Sequence, residues 1–200
     1  ASLSKNMRGI YFLSGTKQEI GFTPVIVNTG SELVLFDTGN GEARRPARGN
    51  LVASIEAAGY TADQIDIVVI THMHPDHIGG MMEGGKPTFP NARYITGQAE
   101  FDFWSADKMK ENRVGKLVQA NVMPVADQFS FLGNEGSVAS GITAVAAFGH
   151  TPGHMAYHIE SDGKRLLLIA DACNHYVMSM QKPDWHVKFD MDKASAAATR

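Results

Sequence analysis

One cysteine, Cys173, stands in 200 residues, so no disulfide framework within the chain staples this fold. A small buried thiol is the favoured reading of that residue over a nucleophile. No apolar run approaches the ~20 residues that a membrane span needs, which leaves no membrane partner. Positive charge is not in surplus: 18 Lys and Arg face 21 Asp and Glu, for a net charge of −3. They are scattered as well, so the basic face that grips a phosphate backbone is missing and nucleic acid is not an expected partner. The first residues, Ala-Ser-Leu-Ser-Lys-Asn, lack the basic and apolar regions of a signal peptide. The reading is therefore cytoplasmic, or periplasmic or secreted where such a peptide has been removed. Low-complexity segments and linkers are absent too, and residues 1–200 read as a single α/β domain. With hydrophobic residues at 44%, that domain can build a sizeable core.

Short β-branched runs mark the strands. Val25-Ile26-Val27 and Leu33-Val34-Leu35-Phe36 flank Asn28-Thr29-Gly30-Ser31, whose composition suits a tight turn, and Asp37 to Gly41 breaks the sheet. Leu51, Val52, Ile55 and Ala58 fall on one helical face, with Gly59 as its stop. Ile65 to Ile70 reads as a strand buried on both faces. Gly79-Gly80 and Gly84-Gly85 read as a flexible connection. Ala92–Thr96 then predicts a strand, Gln98–Trp104 a helix and residues 107–122 another, weakened by Gly115. Four further strands are expected at Gln128–Leu132, Ile142–Phe148, His154–Glu160 and Arg165–Ala170. The pattern predicts two β-sheets packed together with helices outside.

The chemistry concentrates at strand ends. Ile65–Ile70 runs directly into Thr71-His72-Met73-His74-Pro75-Asp76-His77. His72 and His74, two apart on extended backbone, point to the same side and converge on one ion. Asp76 and His77 follow a proline that turns the chain, which directs them to a second ion nearby. Imidazole with carboxylate suits Zn2+, and also Fe2+ or Mn2+. A solvent-exposed histidine cluster or a closed structural site is the plainer reading. A structural zinc site, however, closes with four ligands, often thiolates, and this chain has one cysteine. His150, in Gly149-His150-Thr151-Pro152-Gly153-His154, and Asp171, after Leu166 to Ala170, likewise follow strands. Alone, His150 reads equally as a core histidine and Asp171 as a turn residue.

Together, these motifs and the early Asp37-Thr38-Gly39 resemble the metallo-β-lactamase superfamily over nearly the whole chain. The resemblance implies a four-layer αββα sandwich with metals at the edge of the two sheets. It assigns His72, His74 and His150 to a first metal, Asp76 and His77 to a second, and Asp171 to a bridge between them. His154 is expected to support the loop and His158 to lie in a strand. A last histidine is expected some forty residues beyond Asp171 (roughly, from the family pattern), and His175 and His186 come too early for it. Asp192 to Arg200 reads as the opening turns of a helix without a C-cap or a following apolar element. The expectation is a fold that lacks its C-terminal helix and strand in this form, and, where the protein itself ends at Arg200, a closing helix left unsupported.

The same resemblance implies metal-assisted hydrolysis, in which a hydroxide bridging two Zn2+ ions attacks a carbonyl or phosphoryl centre and Asp76 orients it or moves a proton. The tail, Pro183-Asp184-Trp185, Phe189-Asp190-Met191-Asp192 and Ala197-Ala198-Thr199-Arg200, is similar to the branch of quorum-quenching lactonases and methyl parathion hydrolase. A lactone, ester or phosphotriester is the small-molecule substrate expected. Lactonases of the acyl-homoserine type often carry tyrosine three residues after the bridging aspartate. Here Asn174 stands there, with Tyr176 two further on, which argues against efficient hydrolysis of that lactone. Phe101, Phe103, Trp104 and Trp185 are candidates for an apolar substrate pocket, against the plainer reading as core. Two alternatives remain: a thioesterase of the glyoxalase II type, for which a basic C-terminal region is not evident, and a metal-binding fold member used as a binding protein. A homodimer is compatible with all of them.

Overall fold

A computed structural model describes residues 21–200. Two sheets form its centre. The first has the order β1 (Val25–Asn28), β2 (Leu33–Phe36), β3 (Ile67–Val69), β6 (Arg93–Gly97) and β7 (Phe129–Leu132). Its β1–β2 hairpin is antiparallel and the remaining pairs are parallel. The second sheet is antiparallel throughout, in the order β11 (Lys164–Leu168), β10 (Met155–Ser161), β9 (Ile142–Ala146) and β8 (Glu135–Ala139).

Alternation along the strands decides which layer each side chain enters. Val34, Phe36, Ile67, Val69 and Ile95 point to the second sheet, where they meet Val138, Ile142, Ala144, Met155 and Tyr157. Leu35, Val68 and Tyr94 point the other way, into a helical layer. There they pack on Ile55 of α1 (Leu51–Ala57), Trp104 of α3 (Gln98–Ser105) and Val118 of α4 (Arg113–Asn121). A buried Val, Leu or Ile contributes about 1.5–3 kcal/mol, so β3, wholly buried between two layers, anchors the loop that follows it. The layered α/β arrangement is the one the strand and helix pattern predicts.

Several local expectations need correction. Gly79 and Gly80 are not a flexible connection: a Cβ at Gly79 would lie 2.4 Å from the Asn40 carbonyl oxygen, and one at Gly80 2.1 Å from that of Thr38. They permit two backbones to touch. Gly84-Gly85, at φ +55° and +75°, is the turn between β4 (Met82–Glu83) and β5 (Lys86–Pro87), where two left-handed residues match strand twist. Residues 107–122 do not form one helix, because a 3-10 turn at Asp107–Met109 precedes α4. Gly115 seats α4 against Met109, whose carbonyl oxygen would be 1.8 Å from a Cβ. Strand β8 was not expected, for of its residues only Val138 is buried.

The closing helix (Lys193–Thr199) is supported rather than loose. Asp192 accepts a hydrogen bond from the Ser195 amide at 3.0 Å, an N-cap of the ordinary kind. Thr199 donates its hydroxyl to the Phe148 carbonyl at 2.6 Å. Arg200 donates to the carbonyls of Ala172, Pro183 and Trp185.

Candidate metal centre

Two loops meet where the sheets face each other. The Met155 amide donates to the Thr71 carbonyl at 3.0 Å, drawing the start of β10 to the end of β3. The loop 72–77, continuing into α2 (Pro75–Ile78), is thereby set against the loop 149–154. A third segment, carrying Asp171, follows β11 through Ala170 at φ +42°. That left-handed value is uncommon for a non-glycine residue and costs of the order of 1–3 kcal/mol, strain that concentrates at functional sites.

His72, His74 and His150 converge as one group, and His72, His77 and Asp171 as a second; within each group the ligand atoms lie within 4.8 Å of one another. His74 Nδ1 is 3.1 Å from His72 Nε2 and 3.0 Å from His150 Nε2. Hydrogen-bond partners assign the protons on the outer nitrogens. Thr71 donates its hydroxyl to Asp37 at 2.9 Å and its oxygen receives His72 Nδ1–H at 3.1 Å. His150 donates Nδ1–H to Asp190 at 3.1 Å. Both Nε2 atoms are therefore left as lone pairs aimed at the same point, which is the electronic arrangement a cation completes.

The second group has the same logic. His77 donates Nδ1–H to Asp37 Oδ2 at 2.8 Å. Its Nε2 faces Asp171 Oδ1 at 3.4 Å and Asp76 Oδ2 at 3.7 Å. Carboxylate oxygens around that nitrogen favour positive charge between them: a proton on Nε2 supplies it in the metal-free protein, and a cation fits the same place. Asp76, its side chain 31% exposed, lies beside this cluster at the mouth of the site and outside both groups. His154 lies behind them, its Nε2 accepting the Asp171 amide at 3.2 Å, which is the loop-supporting place expected of it. His158 is in β10, as expected.

Electrostatics follow from burial and crowding. Burial, with His77 and the other rings, holds His72 well below the ordinary histidine value. Burial and His150 lower His74 to about 4, and His154 falls to about 3 by burial and proximity to His150. All three rings are neutral at pH 7, the form that binds metal. Burial opposes a proton on His77, but Asp37 and Asp171 outweigh it and raise that ring well above its ordinary value. Burial would likewise raise Asp171, yet His77 pulls it well below the carboxylate range. Burial pushes the Cys173 thiol up, so it is not an activated nucleophile.

The deepest positioning groups are ones to which sequence reasoning gave no role. Asp190 receives His150 with one oxygen and Arg200, at 2.9 Å, with the other. Asp37 takes the Thr71 amide, the Thr71 hydroxyl and the His77 ring. Glu100, fully buried on α3, accepts from Met73, Trp104, Thr151 and Gly153. The only signals were Asp37 in a turn motif and Asp190 in a tail without an assigned role.

A cavity of about 270 Å³ opens beside the second cluster, its lining including Phe22, Pro24, Val25 and Leu168 together with Asp76, His77 and Asp171. The aromatics offered as a candidate pocket do not line it, and the plainer reading as core holds for Trp104. Trp104 is core, and Phe101 packs on Phe129 and Phe131. Neither these nor Phe103 and Trp185 are among the cavity's walls. Asn174 lies at the cavity and donates to Asp171 Oδ2 at 3.3 Å, while Tyr176 is 73% exposed.

Residues 23–176 match the model of the metallo-beta-lactamase superfamily. The chain belongs to that superfamily. An N-acyl homoserine lactonase of Bacillus cereus is 21% identical over 150 residues, covering 75% of this chain and 55% of that protein. The chain thus spans about half the length of the curated relatives it matches. Among solved structures, AidC, a dizinc quorum-quenching lactonase in complex with a product, superposes with a TM-score of 0.87 at 27% identity. The alignment covers 99% of this chain and 72% of that one. The hydrolase AbOPH, of the beta lactamase superfamily, gives 0.89 at 24% identity over the same shares. A probable metal-dependent hydrolase from Staphylococcus aureus gives 0.81 at 20%, over 98% of this chain and 73% of that one. The last two bear on the fold alone.

Proposed function

We propose that this chain carries the metal centre of a hydrolase acting on a neutral lactone, ester or phosphotriester. The observation that carries the proposal is the convergence of ring nitrogens of His72, His74 and His150, with Nε2 of His72 and of His150 left unprotonated, next to a second cluster at a cavity. His72, His74 and His150 would hold one cation, His77 and Asp76 a second, and Asp171 would bridge them. Zn2+ suits this donor set, and Fe2+ and Mn2+ share its preferences. Bound there, such ions supply Lewis acidity toward a substrate oxygen and lower the pKa of water.

The chain's own residues do the rest. Asp76 Oδ2, at the cavity and 3.7 Å from His77 Nε2, accepts a proton from water and returns it to the leaving oxygen. Asn174 and His154 hold Asp171 in place from two sides. The Phe22, Pro24, Val25 and Leu168 wall shields an apolar substituent from water. Charge narrows the substrate: among the described residues the cavity's walls include three carboxylates, of Asp37, Asp76 and Asp171, and no Lys or Arg. An anionic substrate would meet the cations but no cationic side chain among the described residues, which disfavours a glutathione thioester as much as a phosphomonoester.

The test is a hydrolysis panel on the metal-loaded protein with lactones, aryl esters, phosphotriesters, thioesters and a phosphomonoester. Turnover of one or more of the three neutral classes, above the thioester and the phosphomonoester, is expected. Two bound cations with no turnover on any substrate would replace the proposal with the binding-protein reading. A preference for the anionic substrates would overturn the charge argument.

A further inference from the structure

We infer that Glu100 is a positioning residue whose two carboxylate oxygens tie the loop bearing His72 and His74 to the loop bearing His150. The inference rests on the metal reading above and goes beyond it, because Glu100 faces no proposed ion.

Glu100 is the third residue of α3 and shares a helical face with Trp104, four residues on, both turned into the core. Its Oε1 accepts the Met73 amide at 2.7 Å and the Trp104 indole N–H at 2.9 Å. Met73 lies between the two ligands His72 and His74. Its Oε2 accepts the Thr151 hydroxyl at 2.7 Å and the Gly153 amide at 2.9 Å, and Thr151 follows the ligand His150. One oxygen thus serves each loop. The carboxyl is fully buried, and a lone buried carboxyl would be costly without such partners. Four donors meet its hydrogen-bonding capacity, so the group is confined to this one geometry.

Packing shows that the contact is built, not incidental. A Cβ on Gly153 would lie 2.0 Å from the Glu100 backbone nitrogen, and one on Gly97 2.8 Å from the Gly153 carbonyl oxygen. The loop 149–154 therefore sits directly on the first turn of α3, and side chains larger than glycine would part them. The first cluster is assembled from both loops, with His72 and His74 on one and His150 on the other. A strut between the loops sets their separation, whereas His77, on the same loop as His74, and Asp171, after β11, depend on it less.

Glu100→Gln keeps the shape and removes one acceptor. Whichever way the amide sits, its NH2 group meets a backbone N–H, of Met73 or of Gly153, so one loop is released. The experiment measures Zn2+ affinity by chelator competition, together with thermal melting of the metal-free and Zn2+-loaded forms. For Glu100→Gln the affinity of the tighter site is expected to fall by roughly 10- to 100-fold, the range for residues that orient ligands, and the rise in melting temperature on adding Zn2+ to shrink. Thr151→Val, which deletes one arm and keeps the carboxylate, is expected to weaken Zn2+ binding in the same direction by less. It serves as the readout where Glu100→Gln does not fold. If both Glu100→Gln and Thr151→Val, or Thr151→Val alone where only it folds, bind Zn2+ like the parent protein while melting lower, Glu100 merely supports the fold and the inference is overturned. If the parent protein itself binds no Zn2+, the metal reading fails, and the inference with it.

Discussion

His150 donates its Nδ1–H to Asp190 at 3.1 Å, and the other oxygen of that carboxylate receives Arg200 at 2.9 Å. Both partners of the Asp190–Arg200 pair are almost wholly excluded from water. A buried arginine thus fixes a carboxylate, and the carboxylate fixes the tautomer of a candidate ligand. Asp190→Asn still offers an oxygen to His150 but turns an NH2 group toward the guanidinium. Metal affinity is expected to drop about 10- to 100-fold. Stability of the metal-free protein should fall by about 3–5 kcal/mol, as when one member of a buried pair is removed. Chelator competition and urea unfolding measure the two. A variant unchanged in both would show that His150 is oriented by something else.

The metal-free protein should lose stability on mild acidification. Folded His74 and His154 sit at about 4 and about 3, against 6.5 for an unperturbed ring, so between these values the unfolded chain binds more protons. Their contribution is complete above pH 6.5 and is lost as pH falls toward 4 and then 3. His77 is shifted up, and its contribution has the opposite sign, present below 6.5 and lost as pH rises through its raised value. With His72 also depressed, three rings oppose one. The urea midpoint of chelator-treated protein is expected to fall from pH 7 to pH 4.5; a midpoint that rises on acidification contradicts the burial argument.

Gly153→Ala places a methyl 2.0 Å from the Glu100 nitrogen, and overpacking against backbone costs typically 1–3 kcal/mol or more. Gly133→Ala, where nothing lies within 4 Å of the new atom, should stay within about 0.5 kcal/mol of the parent. Calorimetry on the pair checks this: equal melting temperatures would mean that the 149–154 loop has room to move off α3.

Strand ends were readable because their information is local. Ile67–Val69 is apolar on both faces and delivers His72 at once, and Ile142–Ala146 and Lys164–Leu168 precede His150 and Asp171 in the same manner. The partners of these candidate ligands carry no such mark. Glu100 reaches loops 27 and 51 residues away along the chain, and Asp190 reaches a ring 40 residues back; neither sits in a periodic or spaced motif. Strand β8 was hidden by its composition, Glu-Gly-Ser-Val-Ala, and by the irregularity between Ser137 and Ala139. Glycines 79, 80 and 115 were read as flexible or weakening because sequence shows a missing side chain but not the backbone that occupies its place.

Asp76→Asn keeps the size of the side chain and removes its capacity to take a proton. Turnover of the best substrate is expected to fall by about 10²- to 10⁴-fold, the usual weight of a general acid–base group. The cation at His72, His74 and His150 should be retained, since Asp76 lies outside that cluster. Full activity in Asp76→Asn would remove this residue from the proton-transfer role.

Two clusters that share His72 are the core of the account. Titrating metal-free protein with Zn2+ and counting bound ions per chain after gel filtration tests it most directly, with His74→Ala beside the parent. The expected result is two ions in the parent protein and at most one in a folded His74→Ala. Less than one ion in the parent, or two in His74→Ala, would contradict it.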